Sequence, residues 1–223
     1  MATTSPADGD FEQRLRMVNS QLRTGDVVDQ EVLAAFLDTP RERFVASANV
    51  PFAYLDRPTP ARGAKTRRLL RPLTLARMLQ AAAVNAGDRA LDVGSGSGYG
   101  AALLEHMGAV VVALESDRGA ASAARELLAE AGAATVVEGP LEAGAAHRGP
   151  FDVIVVEGAF RVEPDALLGQ LADGGRLVGI DAVTGAPQAA LYERRHGGVS
   201  RRALFEAAAD VLDGFQPAAT FAF

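Results

Sequence analysis

The chain contains no cysteine and no tryptophan among its 223 residues, and only three histidines. Without cysteine there is no disulfide framework, no thiolate metal site and no cysteine nucleophile. His106, His147 and His196 are scattered without metal-ligand spacing, so no metal centre is expected. No apolar run approaches the roughly 18 residues that suggest a membrane-spanning helix, so a membrane partner is not expected. Residues 1–8 have neither a basic segment nor an apolar one and are expected as a flexible tail, not a signal peptide. Positive charge is the minority: 22 Lys and Arg stand against 28 Asp and Glu, a net charge of −6. That balance argues against nucleic acid bound through a basic surface. A cytoplasmic location fits this composition.

What the chain has is apolar content, 48% of its residues, enough for a full core. One domain is expected over 9–223, with N-terminal helices and a long loop over 9–88, a central core over 89–181 and antiparallel strands over 182–223. Phe11, Leu15, Val18 and Leu22 recur at helical spacing and predict an amphipathic helix over 10–24. A second helix is expected over 29–37. Thr39-Pro-Arg-Glu42 has the residues of a capping box with proline at the first helical position, which predicts a short helix there. Periodicity then vanishes from Asn49 to Arg71, a proline-rich, basic loop of a length that tends to be functional. A helix over 73–84 follows.

From residue 89 the pattern alternates: strand 89–93, helix 98–107, strand 109–114, helix 117–131, strands 134–138 and 151–156, helix 164–172 and strand 175–181. These strands are continuously apolar, as in a parallel sheet covered on both faces. Residues 188–194 and 203–209 read as two antiparallel strands around a polar turn, with a last strand over 218–223. The expected fold class is α/β.

The densest signal is Ala90-Leu-Asp-Val-Gly-Ser-Gly-Ser-Gly-Tyr-Gly100, a strand, a glycine turn and the start of a helix. Glycines admit positive φ and let a ligand lie against backbone amides at a helix N-terminus. The next strand ends in Glu115, where a carboxylate can accept from both hydroxyls of a ribose. A nucleoside-containing cofactor is therefore expected. Gly96-Ser-Gly98-Tyr-Gly100-Ala101 also fits a dinucleotide pattern. Three features favour S-adenosylmethionine instead: Asp92 just before the glycines, the long helical preamble, and the helix, Gly-Gly turn and strand after residue 164.

Several blocks in order carry a resemblance: Met17-Val-Asn-Ser-Gln-Leu22, Thr39-Pro-Arg-Glu-Arg-Phe-Val45, Ala53-Tyr-Leu-Asp56, Leu91 to Tyr99, Gly149-Pro-Phe-Asp-Val-Ile154, and Leu168 to Val178. Over nearly its whole length the chain resembles the protein-L-isoaspartate O-methyltransferase family. The resemblance implies a Rossmann-like class I methyltransferase fold with a mostly parallel seven-stranded sheet and an antiparallel C-terminal edge. It implies S-adenosyl-L-methionine as donor and an isoaspartyl protein or peptide as acceptor. By motif position Asp92, Gly94, Ser95, Gly96, Ser97 and Gly98 would hold the methionine end and Glu115 the ribose. Ser116, Gly139, Pro140 and Leu141 complete the implied cofactor set.

The sequence departs from the family pattern twice. Family members usually carry Thr-Ile-Ser-Gln-Pro before the helix that precedes the first core strand, and the serine is thought to contact the isoaspartyl carboxylate. Here the five residues are Arg68-Leu-Leu-Arg-Pro72, with Leu70 at the serine position. The family's Gly-Asp-Gly after the third core strand is Gly139-Pro-Leu141, so the adenine-facing aspartate is Pro140. Methyl transfer from a sulfonium to an ionised carboxylate needs no general base, because a carboxylate of pKa near ~4 is already deprotonated. Arg68 and Arg71 are candidate acceptor ligands, among the basic loop residues Arg62, Lys65, Arg67, Arg68 and Arg71; equally, these are solvated loop charges. Glu157, after Val153-Ile-Val-Val156, is a candidate for holding the donor's amino group or acting as a base; alternatively a neighbouring arginine satisfies it. Three functions stay open at this stage: isoaspartyl methylation, methylation of a different carboxylate or small-molecule oxygen, and a cofactor-binding sensor or scaffold.

Overall fold

The computed structural model describes residues 6–132 and 134–217. Helix α1 (Pro6–Met17) begins inside the stretch expected as a tail and runs into a π turn and a 3₁₀ turn that end at Asp26 with φ 68°. Helix α2 (Gln30–Asp38) is capped by the Asp29 carboxylate, which accepts from the amides of Glu31 and Val32. The capping box expected at Thr39 does not form. Thr39 closes α2, Pro40 leaves the helical region, and only a 3₁₀ turn over Arg41–Arg43 follows. The long loop contains another 3₁₀ turn (Ser47–Phe52) and a small hairpin of β1 (Thr59–Pro60) and β2 (Arg68–Leu69). Helix α3 (Pro72–Ala82) starts with proline in its first turn, where the missing N–H costs nothing.

The central sheet begins with β3 (Arg89–Val93), α4 (Tyr99–His106), β4 (Val110–Glu115), α5 (Arg118–Ala131) and β5 (Thr135–Glu138). It continues through β6 (Phe151–Phe160), α6 (Asp165–Leu168), β7 (Leu171–Asp181), β8 (Gln188–Arg195) and β9 (Gly198–Glu206). The strand order is β5-β4-β3-β6-β7-β8-β9, parallel from β5 to β7 and antiparallel for β8 and β9.

Three boundaries differ from the sequence reading. Strand β6 continues past residue 156 to Phe160, because its pairing with β7 resumes after an irregularity at Ala159. The helix expected over 164–172 is a single turn, since Leu171 already pairs with Phe151 in the sheet. The hairpin turn is only His196-Gly197, both at positive φ, so β9 starts at Gly198 instead of 203. The strand expected over 218–223 lies outside the described residues.

Side chains alternate across the sheet and build two apolar layers. Ala90, Val153 and Val155 face α1 to α4, whereas Leu91, Val93, Ile154 and Val156 face Leu141, Leu167, Leu212 and Phe215. Among the described residues no helix is long and apolar enough to cross a membrane.

Candidate active site

Strand β3 pairs with β4 on one side and β6 on the other. The chain therefore reverses its direction of winding at β3, and ligands of open α/β sheets bind beyond the strand ends at such a point. Asp92 and Glu115 lie at the carboxyl-terminal ends of β3 and β4, and Glu157 stands on β6 two residues beyond Val155, the partner of Asp92. The glycine turn after β3 is held by amides of Gly94 and Ser95 donating to the Leu114 carbonyl. Gly96 requires its lack of side chain: its φ is 56°, and a Cβ would lie 3.2 Å from Leu69 and 3.3 Å from Ala61.

Glu115 is fully buried, and its carboxylate is encircled by donors. Oε2 accepts from the Gly96 amide at 2.7 Å, and Oε1 from the amides of Ser116 and Asp117 at 2.7 and 2.8 Å. Arg67 closes the ring, with Nε 3.2 Å from Oε2 and Nη2 3.3 Å from Oε1. The backbone amides fix the carboxylate, and the guanidinium lies against both of its oxygens.

Asp92 and Glu157 are equally buried but lack such donors: none of their four carboxyl oxygens has a hydrogen-bond partner. Burial pushes Asp92 up to about 7, with the Glu115 charge adding to the rise and contacts to Glu157 and the Ala101 amide opposing it. Burial and then the charge of Asp92 raise Glu157 well above the usual carboxylate range. The reading of Glu157 as a carboxylate satisfied by an arginine does not hold, because no guanidinium bonds to it. The buried Arg41 supplies an attractive field nearby, yet its Nε and Nη2 donate to the carbonyls of Ala53 and Leu70.

Beside Glu157 lies a cavity of about 290 Å³ whose walls are residues 66–70 and 209–213. Arg68 and Leu70 both line it. Arg68 forms a fork with Asp210 across its mouth, which holds the guanidinium and depresses the Asp210 carboxyl. Arg71 is not part of this wall. Its guanidinium binds Asp56, whose other oxygen caps the first turn of α3 through the Leu73 amide. Arg62 likewise pairs with Glu126. The loop arginines thus already hold carboxylates of this chain.

The remaining expected residues divide. Gly94, Ser95 and Gly98 line the buried turn, and Ser95 Oγ has no partner. Ser97 Oγ donates to the Phe44 carbonyl, a structural link between the turn and the N-terminal helices. Ser116 Oγ accepts from Arg67. Gly139 is anchored by its amide to the Glu115 carbonyl, and Leu141 is buried close to Gly94. Pro140 between them is exposed. Sequence reasoning missed Arg41, which stacks on the Tyr99 ring at 4.8 Å, and it missed the 209–213 wall. A fully buried arginine in a polar segment has no hydropathy signal; only its place inside a family block marked it.

A family model for protein-L-isoaspartate(D-aspartate) O-methyltransferase matches residues 12–207. The chain belongs to this family. A protein-L-isoaspartate O-methyltransferase of Koribacter versatilis (strain Ellin345) is 40% identical over 180 residues, which is 80% of either chain. One from Gloeobacter violaceus is 38% identical over 192 residues, 85% of this chain and 93% of its own. Among solved structures, a protein-L-isoaspartate O-methyltransferase superposes with a TM-score of 0.79 at 23% identity, covering 90% of this chain and 66% of the other. A β-aspartate methyltransferase (PCMT) from Plasmodium falciparum, in complex with S-adenosyl-L-homocysteine, gives 0.77 at 20% identity, covering 90% of this chain and 98% of its own. These two establish the fold of the family member described here.

Proposed function

We propose that this family member transfers a methyl group from S-adenosylmethionine to the free carboxylate of an isoaspartyl residue in a protein or peptide. The observation that carries the reading is the convergence of the glycine turn, Glu115, Asp92 and Glu157 at the reversal point of a sheet whose chain matches this family from residue 12 to 207. The residues fit such a cofactor. The buried oxygens of Asp92 and Ser95 have no hydrogen-bond partners in the protein and stand beside the glycine turn. Gly94 to Gly98 and Asp92 would hold the methionine end. Glu115, with Ser116, would take the ribose once Arg67 swings aside. Gly139, Pro140 and Leu141 would border the adenine.

The cofactor supplies a methyl group already activated on sulfur, so this chain's task is to align and to exclude water. Positioning alone accounts for on the order of 7–11 kcal/mol in well-oriented reactions. The cavity beside Glu157 is the proposed seat of the acceptor, with Leu70 and Arg68 in its wall. The reading includes a cytoplasmic location, where ageing intracellular proteins would be the substrates. A net charge of −6 supports protein over nucleic acid as the partner.

Leu70 favours one second reading, a different carboxylate or small-molecule oxygen as acceptor, because it presents no hydroxyl to the cavity. Incubation with labelled donor, an isoaspartyl peptide and its normal aspartyl twin separates the two. Label in the isoaspartyl peptide alone supports the repair reading. Donor binding with neither peptide labelled overturns it.

A further inference from the structure

Asp92 and Glu157 share one face of two adjacent parallel strands. Asp92 pairs with Val155, so Glu157, two residues further along β6, points to the same side of the sheet. Helix α4 packs over them at Gly100. A Cβ there would lie 2.0 Å from Glu157 Oε1 and 3.3 Å from Asp92 Oδ2, so the missing side chain makes the room that both carboxyls occupy. They contact each other, and apart from the approach of the Ala101 amide to Asp92, which falls short of a full hydrogen bond, their four oxygens have no donor in the protein. Two ionised carboxylates in contact, out of water and without donors, repel each other and forfeit their hydration. Among the described residues no third acidic or histidine ligand joins them in a metal-binding arrangement.

The charges around the pair come from each packed element. Arg41, on the 3₁₀ turn, is the buried cation, and its Nη1 has no partner. Tyr99, on α4, carries a neutral hydroxyl that is also unpartnered. Glu115, at the end of β4, adds repulsion but is answered by Arg67. In the cavity wall Arg68 answers Asp210, while Asp213 lies within 3.8 Å of Arg67. β7 contributes apolar Val178 opposite Val155. One proton on the carboxyl pair leaves a single negative charge, which Arg41 balances.

We propose that Asp92 and Glu157 hold one proton between them, and that Glu157 carries it and donates a hydrogen bond to the acceptor carboxylate in the adjoining cavity, the part a serine hydroxyl at position 70 would play. Glu157 is the member that lines this cavity. Burial and the charge of Asp92 both oppose its ionisation. The acceptor then meets a donor, not a second anion. The inference rests on the reading of the acceptor as an isoaspartyl carboxylate.

The test measures kcat/KM for an isoaspartyl peptide from about pH 5.5 to 9 in the wild type, Glu157→Gln and Glu157→Ala. Infrared difference spectra of the ligand-free proteins are recorded alongside. The wild-type rate is expected to fall as pH rises through the titration of the pair. Glu157→Gln keeps an N–H donor at every pH; it should retain activity within severalfold and lose the alkaline fall. Glu157→Ala should lose about ten- to a hundredfold, the range for a donor to a charged group. The wild-type minus Glu157→Gln spectrum at neutral pH should contain a protonated carboxyl stretch that disappears on alkalinisation. A rate that rises with pH, with Glu157→Gln inactive, would make Glu157 a base and overturn the proposal. So would absence of the carboxyl band. If no isoaspartyl peptide is methylated at any pH, the functional reading fails separately, and the infrared result still decides where the proton is.

Discussion

Replacing Asp92 with asparagine should stabilise the ligand-free protein at alkaline pH and not at acid pH. Asp92 titrates at about 7 in the folded chain against 3.8 when exposed, chiefly because burial disfavours the charged form. Between those values the folded state holds a proton that the unfolded state has released. Stability therefore falls as pH rises through this window, and the full loss is reached above the folded value. At 1.36 kcal/mol per unit the shift corresponds to about 4 kcal/mol, of which about 3 lies between pH 5 and 8.5. Asparagine matches the neutral acid in size and does not titrate, so the variant escapes this loss. Urea unfolding at the two pH values reads the effect. With a slope of about 1–3 kcal/mol per molar, the variant's midpoint should gain roughly 1 M or more over wild type on going from pH 5 to 8.5. A variant less stable than wild type by the same amount at both values would mean that a donor holds Asp92 as a carboxylate, and the reasoning about the buried pair would be wrong.

Glu115→Ala removes the proposed acceptor of two ribose hydroxyls and strands three backbone amides; calorimetry should show S-adenosylmethionine binding weakened tenfold or more, since bonds to a charged group are worth about 1.5–3 kcal/mol. Arg67→Ala should do the opposite and tighten binding severalfold by freeing the side of Glu115 that the guanidinium covers at 3.2–3.3 Å; an affinity unchanged or weakened would show that Arg67 does not compete with the cofactor. Leu70→Ser should raise kcat/KM for an isoaspartyl peptide severalfold. Leu70 is also a buried member of the core, so the same variant should lose about 2–4 kcal/mol of stability in urea unfolding.

The sheet was legible because its strands are short apolar runs broken by glycine turns and helical spacing, the alternation a covered parallel sheet requires. Glycine turn, Asp92 and Glu115 could be named for the same reason: they sit at fixed offsets from a strand end. The boundaries that failed are those where pairing outranks local preference. Glu157 to Phe160 and Leu171 to Gly174 extend strands because their neighbours offer a ladder, which no window of sequence reveals. The loop was harder still. Arg67 meets Glu115 across 48 residues and Arg68 meets Asp210 across 142, and an irregular segment has no periodicity from which such partners follow.

That pairing changes what the basic loop means. Five cations near a site that accepts a carboxylate invite the idea that they bind it, and the sequence gives no reason to prefer Arg68 over Arg41. The structure does. Arg67, Arg68 and Arg71 each lie against a carboxylate of this chain, so an incoming anion must compete with a partner already in place. Arg41 alone among these is wholly buried, stacked on Tyr99, bonded to the Leu70 carbonyl and left with an unpartnered Nη1. It links the wall that carries Leu70 to the field around Glu157. In the ligand-free protein Arg67 balances Glu115 and Arg41 balances the once-protonated pair, so the protein's own buried charge cancels. A singly positive donor and a singly negative acceptor then enter as a neutral pair, and transfer of the methyl group extinguishes both charges together. A second ionised carboxyl would leave the site one charge too negative for the acceptor, which is why the proton on Asp92 and Glu157 matters to the reaction as much as to the fold.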